Sequence, residues 1–210
     1  MQQNYLSVLG QCVTEKVIEK SRFITTSRHI ESEEEARAFI AELNKKYSDA
    51  THNCWAFISD TLGNLLRFSD DGEPQGTAGM PMLEVLKVKK LMQTAVVVTR
   101  YFGGIKLGAG GLVRAYSGSV AENIERAQKV FYQVCAESLY TVDYPLVDAI
   151  SRYFSQRECE VKSTDYGNQV TYTVAVKKDA ENAFNAEVIN LLNGKVKVQK
   201  LKEYFYPFKV

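Results

Sequence analysis

The run Arg100–Gly111, RYFGGIKLGAGG, is where residue types and spacing first suggest chemistry. Gly103, Gly104, Gly108, Gly110 and Gly111 leave its backbone almost bare, and Arg100, Lys106 and Arg114 flank it. Exposed N–H groups at the start of a helix, with cations beside them, suit a phosphate. Known nucleotide loops fit poorly. Gly103 and Gly108 have P-loop spacing, but Ala109 stands where lysine belongs. Gly108 and Gly110 begin a GxGxxG, but Val113 replaces its last glycine. A bound mononucleotide is not expected, and no cofactor is. The same glycines equally suit a tightly packed crossover that needs positive φ or close helix–sheet approach.

Charge is segregated around this run. Between Gly76 and Ser119 the basic residues are Lys87, Lys89, Lys90, Arg100, Lys106 and Arg114, and Glu84 is the only acid. Acids gather instead in Glu31–Glu35 and Asp70–Glu73. A positive face on a chain of net charge +1 is the footprint of phosphate binding. Lys89, Lys90, Arg100, Lys106 and Arg114 are the candidate nucleic-acid contacts. Tyr101, Phe102 and Tyr116 lie among them and, if exposed, would stack on unpaired bases. The alternative is a solvated helix face with its aromatics in the core.

His52, Asp70, Asp71 and Glu73 form a weaker constellation. These types bind metals or exchange protons. Their spacing matches no recognised ligand set, and Asp-Asp-Gly is ordinary turn chemistry, so no metal is expected. HExxH, GxSxG, HxE with PCxxC and the Walker lysine are all absent. No catalytic residue is assigned.

The elements that must position these residues are legible. Val13–Ile30 reads as two extended pieces around Glu19–Ser21. Ser32 and Glu35 have capping-box spacing, and a helix follows to about Lys46. His52–Ser59 and Asn64–Phe68 read as strands joined by a turn. Ser69–Gly79 is loop chemistry, and Pro81 sits in a first helical turn. Thr94–Phe102 is a β-branched run expected as a central strand. The glycine loop and a helix from Leu112 to about Lys129 follow. Beyond it, strand 133–142, helix 145–156, strands 158–164 and 169–176, helix 179–193 and strand 195–205 give a βαββαβ order. The expected fold class is α+β in two domains, residues 1–131 and 132–210.

Composition sets outer limits. The chain has 210 residues, 45% apolar and 24% charged, as in ordinary globular proteins. Cys12, Cys54, Cys135 and Cys159 form no CxxC pair, which favours a reducing compartment. The N-terminus lacks signal-peptide character, and no stretch approaches the roughly 18 apolar residues of a membrane span. A cytoplasmic protein is expected.

ATHNCWAF (Ala50–Phe57), SDDGEPQGTAGMPML (Ser69–Leu83) and VVVTRYFGGIKLGAGGLVRAYS (Val96–Ser117) together resemble the IMPACT/YigZ family. The resemblance covers nearly the whole chain. It implies an N-terminal β-α domain like domain IV of elongation factor G and a small-subunit ribosomal protein. It also implies a C-terminal ferredoxin-like domain like domain V of that factor. Such domains are associated with RNA and ribosomes, and eukaryotic relatives with translational control. It carries over no catalytic residues. Three readings result: an RNA- or ribosome-binding protein of translation; an enzyme, such as a metal-assisted hydrolase, between the Asp70–Glu73 loop and the glycine loop; and a regulator that docks a protein partner.

Overall fold

The computed structural model describes residues 4–209. The chain forms two units, one running to Tyr132 and taking in the last residues from Pro207, the other spanning Gln133–Tyr206. The architecture is mixed α+β.

In the first unit the antiparallel hairpin β2 (Gln11–Ile18) and β3 (Ser21–His29) turns at Glu19 and Lys20, both with positive φ. Helix α1 (Glu33–Lys46) follows. Ser32 Oγ accepts from the Glu35 N–H at 3.2 Å, as the capping-box spacing predicts. The returning bond from Glu35 reaches the N–H of Glu31, at 2.7 Å, one residue earlier than the motif implies. Strands β4 (His52–Ile58) and β5 (Leu66–Ser69) pair antiparallel, and Asp60 closes their turn by accepting from the N–H groups of Asn64 and Leu65.

Helix α2 (Gly79–Val88), strand β6 (Thr94–Tyr101) and helix α3 (Gly108–Arg126) complete this unit's main layers. The sheet order is β2-β3-β6-β4-β5, which puts the β-branched run at its centre. Val96 and Val98 join the core formed with Met82, Leu86, Leu112, Tyr116 and Val120 of α2 and α3. Ala95 and Val97 join Phe39, Ile40 and Leu43 of α1. A strand covered on both faces reads as continuous apolar sequence. Each such aliphatic side chain contributes about 1.5–3 kcal/mol by leaving water.

Two features escaped the sequence reading. Tyr5–Val8 forms a short strand, β1, pairing with Lys129–Tyr132. Helix α3 starts at Gly108, four residues before Leu112, so the last third of the glycine run is helix and not loop. Between the strand and the helix, Phe102 to Leu107 is free of regular structure.

The second unit carries β7 (Lys129–Val142, from Gln133 onward), α4 (Val147–Ser155), β8 (Cys159–Tyr166), β9 (Val170–Lys177), α5 (Glu181–Leu191) and β10 (Lys197–Lys209). Strand β7 lies between β9 and β10, and β8 pairs with β9. That is the βαββαβ arrangement. Its core gathers Tyr140, Ile150, Phe154, Tyr172, Val174 and Phe184. Asn193 and Gly194, both at positive φ, end the helix as the sequence indicates.

Candidate functional site

Period-two alternation along β6 sends Arg100 to the same side of the sheet as Val96 and Val98, beneath α3. Its side chain is buried between Phe23 and Phe102, whose ring centres each lie 5.5 Å from the guanidinium carbon. Nη1 donates to Oε1 of Glu73 at 2.6 Å, and Nη2 donates weakly to Ser21 Oγ at 3.5 Å. Nε has no acceptor. Tyr116 Oη donates to the same Glu73 oxygen at 2.7 Å, and Cys54 Sγ donates to Tyr116 Oη at 3.4 Å. Burial pushes the Tyr116 phenol and the Cys54 thiol well above their ordinary ranges. Both therefore stay protonated as donors, and Cys54 is no thiolate nucleophile.

These contacts correct the reading of several residues. Arg100 is 5% exposed and bound to a carboxylate, so it is no surface cation. Tyr116 is fully buried and cannot stack on a base. Tyr101 donates its hydroxyl to Asp49 at 2.9 Å, and Arg22 lies over its ring. Phe102 alone of the three rings is largely exposed, at 47%.

The acid-rich loop serves the fold. Asp70 Oδ1 accepts from the N–H groups of Ala78 and Gly79, and Oδ2 from Gly76, which fixes the start of α2. Asp71 Oδ2 accepts from the N–H of Asn53 at 2.6 Å. His52 Nδ1 donates to the Asp71 carbonyl at 2.7 Å, and its Nε2 lies 3.9 Å from Oε2 of Glu73. Among the described residues no three of His, Cys, Asp and Glu gather to hold a metal. In the set His52, Asp70, Asp71 and Glu73, backbone donors engage both carboxylate oxygens of Asp70 and Oδ2 of Asp71.

The cations also disperse. Lys87 pairs with Glu84 and Lys89 with Glu125. Lys90 lies past the C-terminal end of α2, beside Thr61 and Leu62. Of the six, Lys90, Lys106 and Arg114 form no ion pair among the described residues, and Lys106 and Arg114 line one groove of about 450 Å³ with Ile18 and Glu19.

The glycines have distinct reasons. A Cβ at Gly103 would lie 2.0 Å from the carbonyl of Lys20, so the hairpin tip fits only against a bare residue. Gly104 and Gly108 have φ of +86° and +70°. Gly110 lies beneath the Arg114 guanidinium, and Gly111 packs on Leu107. No side chain caps α3, and no acid occupies its first turn. Gly108, Ala109 and Gly110 are exposed, and their N–H groups, with no intrahelical partner, carry the positive end of the helix dipole. A cavity of about 350 Å³ opens beside this turn, lined by Glu73, Arg100, Phe102 and Lys106. Sequence reasoning missed Ser21, Cys54 and the structural roles of Glu73 and Tyr116. Each meets its partner across a long sequence separation, and no local spacing announces it.

Comparison with known proteins follows the same division. A family model described as "Impact N-terminal domain" matches residues 19–124. One described as "Domain of unknown function (DUF1949)" matches residues 141–195. "IMPACT family member YvyE" of Bacillus subtilis is 40% identical over 200 residues, covering 95% of this chain and 92% of that protein. "IMPACT family member YigZ" of Escherichia coli is 34% identical over 188 residues, covering 89% and 92%. "Protein IMPACT" of Mus musculus is 41% identical over 81 residues, covering 36% of this chain and 24% of that protein. A solved structure titled "Crystal structure of an hypothetical protein" is 31% identical, has a TM-score of 0.63, and covers 96% of this chain and 99% of that one.

Proposed function

The chain belongs to the IMPACT family, and from that premise we propose that it binds RNA or the ribosome in a role linked to translation. The observation that carries this reading is the uncapped, exposed first turn of α3 beside Lys106 and Arg114, which form no ion pair among the described residues. Backbone N–H groups, a helix dipole and two free cations on one surface favour polyanion phosphates. The exposed ring of Phe102 adds a stacking platform for an unpaired base. The βαββαβ order of the second unit supports the resemblance to domain V of elongation factor G. The first unit's place in the family supports the likeness to domain IV.

The test is sedimentation with ribosomes, followed by release with salt or RNase. Binding should be salt-dependent and should weaken in Lys106→Ala/Arg114→Ala, with the slope of log affinity against log salt falling by about one per lost phosphate contact. Arg100 is unsuited to this test, because removing it uncovers a buried carboxylate. Affinity for RNA and ribosomes that is unchanged by the double substitution would overturn the assignment of this surface.

A further inference from the structure

Helix α2 is apolar on two sides. Met82, Leu83 and Leu86 are buried in the core of the first unit, yet Met80, Val85 and Val88 line a groove on the outer side. Val88 is 77% exposed and Met80 39%. A helix with a second apolar face has a second surface to cover. The facing wall is α3, where Val113, Ser117 and Ala121 recur at the i, i+4, i+8 spacing of one helix face. Ser117 turns its hydroxyl back to the Val113 carbonyl at 2.7 Å and so adds little polarity. The groove holds about 530 Å³.

The two helices run the same way. Glu73, ahead of α2, accepts from Tyr116 early in α3, and Lys89, just past α2, pairs with Glu125 near the end of α3. Charge gathers at that second end. Lys87, Lys89 and Lys129 share Glu84 and Glu125, and Lys90 forms no ion pair among the described residues. Four cations against two acids leave two positive charges unbalanced there. At the first end Gly76, Met80 and Val113 carry no charge, and Arg114 lines the separate groove it shares with Lys106.

We propose that the groove between α2 and α3 docks an amphipathic helix of a partner protein, acidic in its first turn. An apolar stripe on that helix fills the space between Val85 and Val88 on one wall and Val113 and Ala121 on the other. Its acids meet the lysine end, where the surplus charge complements them. Exposed ion pairs hold weakly, so Lys87 and Lys89 exchange partners at little cost. The same acids sit at the positive end of their own helix and favour its formation. The partner then runs antiparallel to α2 and α3, with the helix dipoles opposed. A second copy of this chain answers the charge less well. Laid groove to groove in one direction, two lysine ends meet; in the other, each lysine end faces an uncharged one. The inference is independent of RNA binding, which was placed on the other side of α3.

The experiment selects binders to the full chain from a display library of helical peptides, each about 15 residues long, the length at which an isolated helix begins to hold. Enriched peptides should share an apolar i, i+3, i+7 stripe with Asp or Glu in the first turn. One such peptide, made synthetically and titrated into the labelled chain, should shift the amide resonances of Val85, Val88, Ser117 and Ala121. Val88→Glu should weaken it more than ten-fold, and the exposure of Val88 keeps that variant folded, which an unchanged melting temperature checks. Lys90→Glu should weaken the acidic peptide about ten-fold and improve a version with Lys in place of its acids. That exchange reads charge pairing, which a merely structural role would not move. No enrichment, enriched peptides without acids, or binding indifferent to Val88→Glu overturns the proposal. Self-association, adhesion to anionic vesicles or RNA binding that Val88→Glu removes would give this face to a second copy, a membrane or a nucleic acid, and would overturn it too.

Discussion

Arg100 Nη1 and Glu73 Oε1 meet at 2.6 Å with side chains only 6% and 3% exposed. One residue is the penultimate one of the central strand, and the other sits in the loop that leads into α2. The pair fastens that loop to the sheet directly beneath the first turn of α3. Tyr116 donates to the same oxygen and adds a third element to the junction.

Breaking this pair from one side should be expensive. Glu73→Ala leaves a buried guanidinium and a buried phenol without their acceptor, and should lower unfolding stability by about 3–5 kcal/mol in urea titration. The double variant Arg100→Met/Glu73→Leu removes both charges together. Its loss should be smaller than that of either single variant, and a loss equal to their sum would refute the coupling.

Asp70→Ala should cost on the order of 2 kcal/mol, since three backbone N–H groups at the start of α2 lose their acceptor. Backbone N–H groups already engage the carboxylates of Asp70 and Asp71. A chelator should therefore leave the wild-type melting temperature unchanged, and a clear fall on chelation would restore a metal to this loop.

Three glycine substitutions should diverge. Gly103→Ala drives a methyl into the Lys20 carbonyl and should destabilise by about 1–3 kcal/mol, as overpacking does. Gly104→Ala meets open space but holds φ at +86°, and should cost about 1 kcal/mol. Gly110→Ala sits in the helix with its nearest neighbour, the Arg114 guanidinium, at 3.6 Å, and should stabilise by up to about 1 kcal/mol. Thermal melts of the three variants would show the order.

His29 predicts an acid response. Its ring stacks on Tyr132 at 4.3 Å and its Nε2 lies 3.2 Å from Tyr5 Oη. Burial pushes its pKa down from 6.5 to about 4, partly opposed by the charge of Glu35. The folded state thus favours the neutral ring. Above pH 6.5 this contribution is fully present. As pH falls from 6.5 towards 4 the unfolded chain binds the proton first, and stability declines. His29→Gln should flatten the stability profile across that window, and an unchanged slope would assign the acid response to other groups.

Much of the fold was readable because it follows local rules. The two-sided burial of β6 wrote itself as an uninterrupted β-branched run, and Ser32 and Asn193–Gly194 marked helix ends by their chemistry. Strand β1 was hidden because four residues at a sheet edge carry too little periodicity to register. The start of α3 was hidden because glycine disfavours helix interiors, yet a first turn has few intrahelical bonds to lose. The environments of two candidate site residues were misread. Arg100 and Tyr116 have the composition of a binding surface, and only the register of β6 and the packing of α3 reveal that they face inward. The charge count could not see that Glu84 and Glu125 neutralise Lys87 and Lys89, because one of those acids is distant in sequence.

The fit of Gly103 against Lys20 makes the turn between β2 and β3 an anvil for the glycine run. No side chain cushions that seat, so a displacement of the hairpin tip is passed to Gly104–Leu107 at backbone scale, without rotamers to absorb it. A ligand that presses on Lys106 and Arg114 therefore also presses on the hairpin, and the two segments respond as one part.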